Sequence, residues 1–177
     1  LSCVPGLSPL TFSERAIHKI KNRKTKISSW FLDQTLVLDY WKGSGKRSYH
    51  HTAPVNSLYA LHESLVILKN TGLEAHWQKH HDAHQRLKEG LTKLGISFVV
   101  EEPYRLPQLN AIYVPDHADD QKTRSTLLNE YQLEVGAGLG KFSGKVWRIG
   151  LMGYNASFEK VDYCLSSLQQ LRDRNML

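Results

Sequence analysis

The feature that most limits the fold lies between residues 73 and 95. Leu73, Trp77, His80, His84, Leu87, Leu91 and Leu94 follow one another at steps of four and three, and Gly95 closes the series. That spacing draws one apolar stripe down a single helix, with glycine as a natural stop. Such a stripe has to be covered, and the residues after it supply the cover. Ile96 to Val100 and Leu109 to Val114 read as strands, bounded by Pro103, Pro107 and Pro115. Asp119 to Tyr131 reads as a polar-faced helix and Leu133 to Val135 as a short strand. Lys145 to Leu151 reads as a further strand, with Val146, Arg148 and Gly150 on one side and Trp147, Ile149 and Leu151 on the other. Ser157 then caps a last amphipathic helix through Val161, Cys164, Leu165, Leu168 and Leu171. From Gly72 onward the expected order is α-β-β-α-β-β-α, a compact α+β domain.

The preceding residues are less regular. Leu7 to Phe12 reads as a short strand, and Ser13 as the cap of a basic helix ending near Arg23. Trp30, Phe31, Leu36, Val37, Leu38, Tyr40 and Trp41 give a strongly apolar second helix, and Gly43-Ser44-Gly45-Lys46 breaks the chain with a loop. Thr52-Ala53-Pro54 starts another helix, carried by Val55, Leu58, Leu61, Leu65 and Leu68 and stopped at Gly72.

Composition narrows the function classes. The 177 residues are 41% hydrophobic and 23% charged, as in ordinary globular proteins. No window approaches the apolar length of a membrane helix, so no membrane partner is expected. Leu1 to Gly6 lacks the basic start and apolar core of a signal peptide. Two cysteines, Cys3 and Cys164, are too few for a disulfide scaffold and fit a reducing compartment. Of the net charge of +6, five units fall within residues 14–26, on Arg15, Lys19, Lys21, Arg23, Lys24 and Lys26 less Glu14. No aromatic interrupts that run between Phe12 and Trp30, so it reads as a solvated helix flank rather than a nucleic-acid surface. The first residue is Leu1 rather than Met, which suggests the C-terminal piece of a longer protein.

Four constellations could carry chemistry. His76, His80 and His84 repeat every fourth residue, at metal-ligand spacing. Two of them lie on the apolar stripe and no glutamate sits among them as a base, so no metal is expected. Gly136-Ala137-Gly138-Leu139-Gly140 is not a dinucleotide fingerprint, since a strand follows it. It is either a flexible turn or a place where backbone comes close to another group. Arg148 sits mid-strand among apolar neighbours, as an internal salt bridge or as a fixed fork for a carboxylate. Tyr49-His50-His51-Thr52 precedes a helix start, and hydroxyls there suit a phosphate.

Tyr49-His50-His51-Thr52-Ala53-Pro54-Val55, Arg105-Leu106-Pro107, Val135 to Gly140 and Gly144 to Gly153 occur in that order. Together these segments resemble the alanine–glyoxylate (serine–pyruvate) aminotransferases, class-V members of the fold-type I pyridoxal-phosphate enzymes. The resemblance runs from Pro5-Gly6 to the last helix and covers only the C-terminal half of such an enzyme.

The resemblance implies an α/β fold ending in an α+β domain. Residues 1–71 would be the tail of the cofactor-binding large domain, and residues 72–177 the small C-terminal domain. It implies a homodimer in which Tyr49 and Thr52 bind the cofactor phosphate of the neighbouring subunit, and Arg148 grips the carboxylate of the amino or oxo acid. The glycine turn at Gly136 to Gly140 would lie near that pocket. The family's Schiff-base lysine would stand about two residues upstream of Leu1, so no catalytic residue is assigned within the chain. The expected activity is transfer of an amino group from alanine or serine to glyoxylate or pyruvate. The alternative is a non-catalytic remnant acting as a dimerisation or binding module. An intracellular location is expected; Asn175-Met176-Leu177 only loosely resembles a peroxisomal tripeptide, and mitochondrion and cytoplasm stay open.

Overall fold

A computed structural model describes residues 1–42 and 49–177; the break expected at Gly43 to Lys46 lies outside them. The chain divides into two compact units, Cys3–Glu63 and Ser64–Leu177, the latter joined by Leu1–Ser2.

In the first unit, α1 (Glu14–Lys21) is capped as expected, with the Ser13 hydroxyl accepting from the Ala16 N–H. All six basic residues of the 14–26 run are exposed. Leu7 to Phe12 forms no strand. Pro9 removes a ladder donor there and nothing pairs with the segment. The second helix starts later than its apolar residues suggest. It is α2 (Gln34–Lys42), and Asp33 precedes it as a cap, its carboxylate accepting from the Thr35 N–H at 3.0 Å and hydroxyl at 2.6 Å. The Thr35 hydroxyl, followed by the neighbouring backbone N–H groups, holds the Asp33 carboxyl below the usual range despite some desolvation. Trp30 to Leu32 make a turn instead, closed by the Asp33 N–H on the Trp30 carbonyl. A capping carboxylate outweighs aromatic residues of modest helix propensity. Helix α3 (Val55–Thr71) ends before Gly72, as its spacing predicts, and runs from this unit into the second.

The second unit is built on α4 (Leu73–Lys93), β1 (Leu109–Tyr113), α5 (Asp120–Tyr131), β2 (Gly136–Ala137), β3 (Val146–Gly150) and α6 (Phe158–Asp173). The three strands form an antiparallel sheet in the order β1-β3-β2. Ile112 faces Trp147 and Asn110 faces Ile149 on the sheet face that meets the core, so Arg148 and its partner Ala111 lie on the opposite face. Ala83, Leu87 and Leu91 of α4 and Val161, Cys164, Leu168 and Leu171 of α6 complete that core. Asp119 and Ser157 cap their helices through the Lys122 and Lys160 N–H groups. The apolar stripe of α4 is buried only from His80 onward; Leu73 and Trp77 remain exposed.

Two expected strands differ. Ile96 to Val100 contributes a single bridge, Phe98 to Ile112, because the chain turns at once into the short 3-10 turn Glu102–Tyr104. The strand expected at Leu133 to Val135 lies instead on Gly136–Ala137, where Gly136 registers with Arg148. A Cβ at 136 would lie 3.5 Å from both the Cβ and the Nε of Arg148, at ordinary contact distance. The described residues include no helix long and apolar enough to cross a membrane.

Candidate functional site

Arg148 occupies the centre of β3, half-buried, on the face away from the helical core. It is not packed inward among the apolar side chains. Its Nε donates to the Ala137 carbonyl at 2.8 Å, which fixes the plane of the guanidinium. Among the described residues its two Nη nitrogens have no hydrogen-bond partner. Ion pairs form at Arg86–Asp162, Lys88–Glu102, Arg124–Asp120 and Arg174–Glu130, and Arg148 is in none of them. An internal salt bridge therefore does not explain this arginine. What remains is an anchored fork with two free donors, the arrangement that accepts a carboxylate side by side.

Within the glycine segment Gly138 is held so close to the Phe142 carbonyl that a Cβ would overlap it, a case of close backbone approach. Gly136–Ala137 is strand rather than flexible turn. A groove of about 590 Å³ runs beside Arg148, lined also by Glu134, Gly136, Asn155, Lys160 and Tyr163. It lies along the margin of β3 that the two-residue β2 leaves uncovered. Ala137, Asn155 and Lys160 were not legible as site residues from sequence. The Ala137 contribution is a backbone carbonyl, which leaves no mark in residue type.

Behind the strand, Trp147 is fully buried and its indole N–H donates to Asp120 at 2.8 Å. Arg124 first, and Trp147 after it, holds the Asp120 carboxyl below its usual range. Asn110 ties the other edge: its amide donates to the Ile149 and Pro107 carbonyls and accepts from His84 Nδ1 at 2.7 Å. Burial pushes the His84 imidazole below its ordinary value, against the opposing effect of the Asn110 hydrogen bond. Arg105 of the Arg105-Leu106-Pro107 segment stacks 4.2 Å over Phe98 and bonds the Val100 carbonyl, closing the loop that leads into β1.

Of the histidine series, the His76 and His80 rings lie 4.5 Å apart, while His84 turns to Asn110. His80 Nδ1 donates to the His76 carbonyl and Nε2 accepts from the Gly153 N–H, so both ring nitrogens are engaged. Among the described residues no group of three metal-ligating side chains assembles.

Tyr49 and Thr52 lie in the first unit, just ahead of α3. Both are exposed, and among the described residues neither hydroxyl has a hydrogen-bond partner. The Tyr49 ring rests against Tyr40, with centroids 5.6 Å apart. Between them, His50 is buried against Trp30 and bonds its carbonyl at 2.8 Å, while His51 meets the His50 ring at 3.0 Å. The two histidines thus anchor the segment and leave the flanking hydroxyls free to donate. Two free hydroxyl donors ahead of a helix suit a phosphate.

The sequence profile of "Aminotransferase class-V" matches residues 3–163. An alanine–glyoxylate aminotransferase of Callithrix jacchus is 43% identical over 172 residues, 96% of this chain and 42% of that protein. The crystal structure of an alanine–glyoxylate aminotransferase from Nostoc sp. matches with a TM-score of 0.87 at 46% identity, over 96% of this chain and 45% of that one. A ureidoglycine–glyoxylate aminotransferase from Bacillus subtilis matches with a TM-score of 0.91 at 30% identity, over 99% of this chain and 45% of that one. The chain spans less than half the length of the curated relatives it matches. It belongs to the class-V aminotransferase family.

Proposed function

We propose that this chain is the C-terminal portion of a pyridoxal-phosphate-dependent aminotransferase that moves an amino group from alanine or serine to glyoxylate or pyruvate. The observation that carries the proposal is Arg148, anchored at Nε by the Ala137 carbonyl, with both Nη nitrogens free and no carboxylate partner among the described residues. Among these substrates, alanine and glyoxylate are supported by the relatives, which are named alanine–glyoxylate aminotransferases.

In this reading residues 1–71 complete the cofactor-binding domain and residues 72–177 form the small domain. Arg148 binds the substrate carboxylate through its Nη pair and so sets which way the amino or oxo group points. Tyr49 and Thr52 hold the cofactor phosphate through their hydroxyls, across the interface of a homodimer. What pyridoxal phosphate supplies when bound is an electron sink that carries the amino group between the two substrates. The lysine that anchors it lies upstream of Leu1.

The test is Arg148→Ala in the intact enzyme. Charged hydrogen bonds are worth roughly 1.5–3 kcal/mol each, so losing the pair lowers kcat/KM by at least about a hundredfold with cofactor still bound. Arg148→Lys recovers little, because an ammonium cannot reproduce the fork. Activity of Arg148→Ala within a few-fold of wild type would falsify the assignment.

A further inference from the structure

The turn that follows β3 is held from two sides. After β3 the chain enters the short 3-10 turn Gly153–Asn155. On one side α4 takes both backbone groups of Gly153: its N–H donates to His80 Nε2 at 3.1 Å, and its carbonyl accepts from Lys79 Nζ at 3.1 Å. Because Nε2 accepts, the proton sits on Nδ1, which donates to the His76 carbonyl at 2.7 Å. On the other side Ser2 takes the groups flanking Gly153: its hydroxyl donates to the Met152 carbonyl and accepts from the Tyr154 N–H, each at 3.3 Å. Gly153 has φ +55°, and a Cβ there would overlap the Ser2 hydroxyl, so glycine is required twice over. Ser2 itself is left-handed at φ +53°, a conformation a serine keeps only where its surroundings hold it.

We propose that His80 and Ser2 are positioning residues: together they clamp the Gly153 turn and so lock the Leu1–Ser2 segment to the end of the strand that carries Arg148. This rests on the transaminase reading for its purpose, since the residues joined to Leu1 would then carry the cofactor's lysine. The clamp would set the spacing between that lysine and the carboxylate fork. It also gives the stripe histidine at position 80 a role that neither metal binding nor packing supplies.

The experiment is site-resolved amide exchange and ¹⁵N relaxation on the 177-residue chain, which requires no cofactor. In His80→Ala the Gly153 amide exchanges roughly tenfold faster and the Ser2 backbone becomes mobile. His80→Gln, whose side-chain oxygen reaches the place of Nε2, brings Gly153 back to within about threefold of wild type. A purely space-filling role would instead loosen α4 and α6 generally and would not be rescued by Gln. Ser2→Ala, at an exposed site where folding is not at risk, speeds the Tyr154 amide about fivefold and frees residues 1–2. An unchanged Gly153 amide in His80→Ala, or an unchanged Ser2 segment in Ser2→Ala, overturns the clamp. In the intact enzyme His80→Ala lowers kcat per bound cofactor by at least about tenfold with KM within about twofold. An unaltered kcat per bound cofactor overturns the positioning role. A wild-type enzyme that never binds the cofactor overturns the transaminase reading and leaves the clamp standing.

Discussion

The two units of this chain carry similar amounts of apolar patterning and put it to different use. In Ser64–Leu177, helices α4 and α6 and the three strands close over Ala83, Leu87, Leu91, Ile112, Leu127, Trp147, Val161, Leu168 and Leu171, all fully buried. In Cys3–Glu63 the only buried side chain among the described residues is His50. There Trp30, Phe31, Leu32, Trp41 and Tyr59 are 60–72% exposed. Among the described residues apolar periodicity therefore produces a helix in both units, but a core in only one. Most of a helix's stability comes from packing its apolar face, so α1 and α2 rest on their caps far more than α4 and α6 do. The unit with a core also holds its polar side chains in fixed geometry, Arg148 above all. The unit without one leaves Tyr49 and Thr52 exposed.

That contrast gives its largest effect in core truncations. Trp147→Ala removes a fully buried side chain and its hydrogen bond to Asp120, and costs about 3–5 kcal/mol in urea unfolding. Trp41→Ala, at 70% exposure, changes stability by less than about 0.5 kcal/mol. Equal losses from the two substitutions would erase the distinction between the units.

Helix caps sharpen it further. Ser157→Ala exposes the start of α6, whose far end is locked in the core, and lowers global stability by about 1 kcal/mol. Ser13→Ala frays α1 by the same chemistry, yet leaves the main unfolding transition in place, because α1 buries no residue. Circular dichroism in urea separates local fraying from the global midpoint.

A smaller effect is expected from pH. Burial lowers the His84 imidazole in the folded state, so the unfolded chain binds its proton more readily. The stability this contributes is whole above the ordinary value of 6.5 and is lost as pH falls below it. Urea midpoints compared at pH 7 and pH 5 should drop less in His84→Asn than in wild type, since Asn keeps a donor toward Asn110 without titrating. A full wild-type drop in His84→Asn would remove the histidine from the account.

How much of this was legible in the sequence varied with the kind of signal. The long helices and their ends were legible, because a 4-3 repeat with Gly72 and Gly95 after it leaves little choice. Ser13 and Ser157 were legible as caps from residue type and position. Asp33 was not, because the aromatic run at Trp30-Phe31 masked a cap three residues on. The strands at Ile96 to Val100 and Leu133 to Val135 were misplaced because pairing is decided by distant partners. One lost its continuation at Glu102-Pro103, and the other lies one step later, where Gly136 registers with Arg148. Arg148 stood out from sequence as a charge inside an apolar strand. Its anchor on Ala137 did not, since a backbone carbonyl leaves no mark in residue type. Nor did the clamp on Gly153, whose parts lie at residues 2, 79, 80 and 153.

In the function proposed above the two units divide the labour: Tyr49 and Thr52 would hold the cofactor and Arg148 the substrate. The most direct measurement is the pair of dissociation constants, for pyridoxal phosphate and for the oxo acid, in the intact enzyme carrying either Tyr49→Phe with Thr52→Ala or Arg148→Ala. The account predicts that the hydroxyl variant weakens cofactor binding by about a hundredfold, as expected for up to two charge-assisted bonds worth roughly 3 kcal/mol in all. It predicts that Arg148→Ala leaves cofactor binding within about twofold and weakens oxo-acid binding by at least about a hundredfold. Loss of cofactor in Arg148→Ala, or unaltered cofactor affinity in the hydroxyl variant, would contradict it.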